Sequence, residues 1–147
     1  MKNLYLDTQI TGLRKNTDLI SMTIGTDTKD CFYAEFTDYD KSRLTKSDEK
    51  IISRLRLNGT SSVSISEDNE SICYEIKGTK DEIRPELINF LLAIQNRYGE
   101  DIHIVKDAYH YDFVLFIDLL TNGGTPYDVP DELNISASNN VKWRDIK

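Results

Sequence analysis

Apolar positions recur every second residue near the start of the chain and at helical spacing further on, and this change of period predicts most of the elements. Residues 3–9 alternate before Thr11-Gly12 breaks the run. Leu19-Ile20-Ser21-Met22-Thr23-Ile24-Gly25 is a β-branched run that ends on glycine, and Cys31-Phe32-Tyr33-Ala34-Glu35-Phe36 follows a turn-like stretch at 26–30. Three strands with such short connections read as an antiparallel meander. Ile51, Ile52 and Leu55 share one helical face within residues 47–57, behind an acidic first turn at Asp48 and Glu49. That pattern predicts a short amphipathic helix. Val63 and Ile65 alternate, as does Ile72-Cys73-Tyr74-Glu75-Ile76, so a hairpin is expected across residues 58–76.

The clearest helix signal follows. Thr79 with Glu82 three residues later is a capping box, and Ile83, Leu87, Phe90, Leu91 and Ile94 carry one apolar stripe to a stop near Gly99. Ile102-His103-Ile104-Val105 reads as a short buried strand, and residues 111–120 as an apolar helix ended by Asn122-Gly123-Gly124. Strand, long helix, strand and helix imply a parallel crossover appended to the meander. Beyond Pro126 and Pro130, Ile135 and the cluster Val141-Lys142-Trp143 leave room for one more strand. The expected fold class is therefore α/β, a mixed sheet flanked by helices.

With 147 residues, 39% of them hydrophobic, the chain has the size of one domain able to bury a core without crosslinks. Cys31 and Cys73 are far apart in sequence, which suggests two core residues in a reducing cytosol rather than a disulfide framework or a zinc site. The start Met1-Lys2-Asn3 leads straight into a strand and no window reaches the length of a membrane span, so a soluble, cytoplasmic protein is expected. The net charge of −7 argues against a broad basic surface for nucleic acid. It leaves open a carboxylate site that reaches phosphate through cations.

Candidate chemistry concentrates in Leu4-Tyr5-Leu6-Asp7-Thr8-Gln9-Ile10. Residues two apart on a strand project to one side, so Asp7 and Gln9 share a face at what reads as an edge strand's end. Two-metal nucleases hold their cations roughly 4 Å apart with closely spaced carboxylates, an arrangement for which Asp-x-Glu serves well. Here the second position is an amide, which offers an oxygen but no charge. Asp112 lies near the start of the helix after the 102–105 strand, and strand ends in an open sheet converge on one crevice. Asp7 and Asp112 are thus expected to face one cavity with Gln9 between them. Taken alone, Asp112 reads first as a first-turn carboxylate favoured by the helix dipole.

The stretches Leu4–Arg14, Asp18–Met22 and Phe32–Phe36, together with Tyr111-Asp112-Phe113-Val114-Leu115-Phe116, resemble the mycobacterial-type 3′-5′ exoribonuclease-like family, within the DEDD exonucleases of ribonuclease H-like fold. The resemblance implies a ribonuclease H-like sheet, a three-strand meander plus a strand-helix crossover. It implies a catalytic and metal-binding set of Asp7, Gln9 (where the family has Glu) and Asp112. Thr8, Gly12, Leu13, Arg14 and Tyr111 would then lie against the substrate, the 3′ end of RNA or single-stranded DNA. Arg14 and Lys15 are candidates for a phosphate, and Tyr109 and Tyr111 for stacking on a base.

Two departures from the family bear on activity. One is Gln9, and the other is the third motif, a His-containing last helix with a further Asp, for which no counterpart is found before Lys147. Neither His103 nor His110 follows the last strand, and Asp145 reads as structural. Two carboxylates carry two negative charges against the four positive charges of two Mg²⁺ or Mn²⁺ ions, so a single weakly held ion and impaired hydrolysis are expected. The alternative is a catalytically inactive nucleic-acid-binding or protein-interaction module of the same fold. A homodimer that covers exposed apolar surface, Trp143 included, is a further expectation.

Overall fold

The computed structural model describes residues 2–11, 18–105 and 111–137. Alternation in the first third becomes three strands, β1 (Lys2–Ile10), β2 (Leu19–Gly25) and β3 (Cys31–Phe36), paired antiparallel in chain order. A short helix α1 (Lys46–Ile52) precedes the hairpin β4 (Ser62–Glu67) and β5 (Ile72–Gly78), and β5 docks parallel to β3. The long helix α2 (Lys80–Tyr98) then crosses to β6 (Ile102–Val105), which lies parallel to β1. Helix α3 (Tyr111–Thr121) leads to β7 (Ile135–Ala137), parallel to β6. The result is one mixed seven-stranded sheet in the order β4-β5-β3-β2-β1-β6-β7.

Several expectations are met closely, and three are corrected. Helix α2 begins at the Thr79 capping box and ends at Gly99, whose φ of 61° is the left-handed conformation that glycine adopts without strain. The hairpin, the crossover and the extra strand at Ile135 are all present. Strand β1 is interior, between β2 and β6, rather than at an edge. Helix α1 stops at Ile52, short of Leu55, because the chain beyond it is drawn onto the sheet by Glu35. Cys31 and Cys73 are half-buried register partners on β3 and β5 rather than core residues.

The core lies on one face of the sheet. Leu4 and Leu6 of β1, Met22 and Ile24 of β2, Phe32 and Ala34 of β3 and Tyr74 and Ile76 of β5 form one core with the apolar faces of α2 and α3. Rings of Phe32, Tyr74 and Phe90 pack with centroids 5.5–6.1 Å apart. Each such buried side chain contributes about 1.5–3 kcal/mol, which is why a helix with ordinary propensity is held so firmly. No helix among the described residues is long and apolar enough to cross a membrane.

Candidate functional site

The opposite face of the sheet is polar. Because side chains alternate along each strand, the cross-strand rows on this side read Asp7, Thr23, Tyr33, Glu75 and Gln9, Ser21, Glu35, Lys77. Helix α1 and residues 53–57 lie over part of these rows, leaving a cavity of about 290 Å³ lined on the sheet side by Asp7, Thr8, Gln9, Ser21, Thr23 and Tyr33 and on the other by Ile51, Arg54 and Leu55. A register shift between Gln9 and Ile10 marks the end of β1 here, the kind of irregularity that re-aims side chains beside a site.

Glu35, next to this cavity on β3, anchors the segment that follows α1. It is completely buried, and its carboxylate accepts hydrogen bonds from the Arg56 backbone N–H at 2.9 Å, the Leu57 N–H at 3.2 Å and the Tyr33 hydroxyl at 2.5 Å, with Lys77 Nζ at 4.0 Å. A buried carboxylate needs such donors to offset its lost hydration. Burial raises the Tyr33 pKa, and its bond to Glu35 raises it further, so the phenol stays protonated and donating. The Arg56 guanidinium closes one face of the Tyr33 ring at 4.2 Å and pairs with Glu75 at 3.0 Å. Arg54, by contrast, lines the cavity with its side chain exposed and in no ion pair with another described residue.

Asp112 sits in the first turn of α3, on the core side of the sheet. Its Oδ1 accepts a hydrogen bond from the Thr8 hydroxyl at 2.6 Å. Thr8 stands between Asp7 and Gln9 on β1 and projects to the other side. Asp112 therefore meets β1 at the expected level, but through Thr8, while Asp7 and Gln9 face the α1 cavity. Asp112 is not among that cavity's lining residues. Of the three ligands expected from the sequence, one carboxylate, Asp7, and one amide, Gln9, stand together on the α1 side, a set that fits a single hard cation and not a pair. Among the described residues, no three His, Cys, Asp or Glu side chains converge as a metal-binding group.

Of the residues placed at the substrate by resemblance, Thr8 is engaged with Asp112, and Tyr111 contributes its backbone to α3. Gly12, Leu13 and Arg14, with Lys15, Tyr109, His110, Trp143 and Asp145, lie outside the described residues. The base of the β1–β2 connection is closed by Thr11, whose N–H bonds to the Asp18 carbonyl at 2.9 Å and whose hydroxyl accepts from the Asp18 N–H at 2.8 Å. His103 is a sheet residue, its Nδ1 at 3.0 Å from Ser136 Oγ and its pKa lowered by burial. Tyr33, Glu35 and Arg54 escaped the sequence reading. A carboxylate inside the apolar run 31–36 was the same kind of signal as Asp7 and could have flagged Glu35. No protein-family model matches this sequence, and no curated protein matches it.

Proposed function

We propose that this chain is an exonuclease-type domain of ribonuclease H-like fold that binds the 3′ end of RNA or single-stranded DNA in the Asp7–Arg54 cavity and hydrolyses its phosphodiester weakly. The reading is supported by the antiparallel meander whose first strand pairs in parallel with a strand reached through a crossover helix. The observation that carries it is the end of β1, where Asp7 and Gln9 share a cavity wall with Arg54.

In this reading Asp7 and Gln9 hold one Mg²⁺ or Mn²⁺, which when bound supplies Lewis-acid polarisation of the phosphate. Arg54 offers a planar fork of N–H donors to the non-bridging phosphate oxygens. Ser21 and Thr23 offer hydroxyls to the sugar-phosphate, and Glu35 keeps Arg54's segment seated over the site. With a single carboxylate on this wall, the cation is weakly held and turnover is slow.

The test is calorimetric titration with Mn²⁺ beside a nucleotide-release assay on 3′-labelled single strands. Gln9→Glu adds the missing charge and should raise Mn²⁺ affinity about tenfold or more, with a parallel gain in nucleotide release. If neither protein binds metal at millimolar concentration, the hydrolytic reading falls. A second reading, a catalytically silent nucleic-acid-binding or interaction module, is favoured by the way Asp112 is satisfied by Thr8 on the far side of β1 from Asp7. Strand binding without metal dependence would select it.

A further inference from the structure

Strand β4 is the first strand of the sheet order, so only β5 pairs with it among the described residues. All six of its residues are exposed. Val63 and Ile65 project to the same side as their register partners Ile76 and Tyr74, which are buried under α2. The apolar face thus continues one strand beyond the helix that covers it, and Val63 and Ile65 stay 60% and 48% exposed. Exposed edges are usually blunted by lysine, proline, a bulge or short length. β4 has none of these, and its one charged residue, Glu67, stands at its end.

We propose that β4 is a homodimer edge, on which a second copy of this chain pairs antiparallel about a two-fold axis through Ser64. The strand's own pattern selects that occupant and that register. Antiparallel partners share a face only when the sum of their positions is even, since a one-residue slip turns every side chain over. A sum of 128 sets Val63 opposite Ile65 of the second copy and Ile65 opposite its Val63, two apolar pairs generated by one symmetry operation. Shifting by two either way sets Val63 against Glu67, or Ile65 against Ser61. In the chosen register, Ser62 faces Ser66, Ser64 faces itself and Glu67 faces Ser61, so no like charges meet.

The pairing gives the free β4 backbone groups hydrogen-bond partners and gathers four exposed β-branched side chains into one patch. A contact confined to one strand is small for a permanent dimer, so assembly depends on concentration. The dimer is independent of the proposed hydrolytic reading, because three strands separate β4 from β1.

Sedimentation equilibrium of the full chain over a wide concentration range should show a reversible monomer–dimer equilibrium. Ile65→Lys should weaken it by about tenfold or more while leaving the circular dichroism spectrum unchanged. The double variant Val63→Lys/Ile65→Glu, which sets opposite charges face to face in both symmetric pairs, should restore dimerisation relative to either single lysine variant. A monomer at every concentration overturns the proposal. So does a dimer indifferent to Ile65→Lys, and a failure of the double variant to recover overturns the register about Ser64.

Discussion

Two buried carboxylates, Glu35 and Asp30, show what a single residue contributes here. Among the described residues, Glu35 is the side-chain acceptor that draws the N–H groups of residues 56 and 57 down onto β3, so truncating it leaves two part-buried donors without that partner. Glu35→Ala should cost about 3 kcal/mol in urea unfolding, and should also loosen Arg54's position, read as weaker binding of a single-stranded oligonucleotide. Asp30 ties the β2–β3 turn to β5 and α2, accepting from the Ile72 N–H at 2.8 Å, from Thr26 and Thr28 at 3.0 and 3.1 Å, and from the Tyr98 hydroxyl. Burial by itself would raise its pKa, but the bonds from Tyr98, Ile72, Thr26 and Thr28 outweigh it and the net shift is downward. A carboxyl lowered on folding adds stability that is fully present above its unfolded value and is lost as the pH falls through the folded one. Thermal unfolding should therefore decline as the pH drops below about 4, and Asp30→Asn should flatten that acid limb while lowering stability at neutral pH.

At the scale of elements, local signals and distant contacts divide the work. Helix α2 starts where Thr79 Oγ1 accepts from the Glu82 N–H at 3.2 Å and Glu82 Oε1 accepts from the Thr79 N–H at 3.0 Å. Thr79→Ala should lose about 1 kcal/mol by denaturant titration, with the sheet face unchanged. Both partners lie within one turn, which is why these bounds were readable from residues alone. Helix α1 carries the same kind of box, Thr45 with Asp48, yet it ends at Ile52, before its helical spacing does. Leu55 continues the helical spacing, and only a carboxylate 21 residues upstream competes for the following N–H groups. Strand β4 illustrates the reverse case, since its alternation predicted a strand and left its place at the edge undetermined.

Across the whole molecule, the sheet order brings together residues that the linear chain holds apart. Cys31 and Cys73 are opposite each other on parallel strands, half-buried on the polar face, with the Cys73 thiol 3.3 Å from the Lys29 carbonyl. Burial, and then the neighbouring Cys73, push the Cys31 thiol pKa up. Cys31 should alkylate with iodoacetamide more slowly in the folded protein than in urea at the same mildly alkaline pH, as peptide mapping would show. The residues themselves determined the meander, helix α2 with its caps, the helical run of α3, the crossover and the grouping of Asp7 with Gln9, because each rests on a period or a spacing within a few positions. Tertiary structure alone decided that β1 is interior, that Thr8 rather than Asp7 takes the Asp112 bond, that Glu35 seats Arg54 over the cavity and that β4 is left uncovered. Those outcomes depend on which strand ends beside which and on which face a distant helix covers, and neither period nor propensity carries that information.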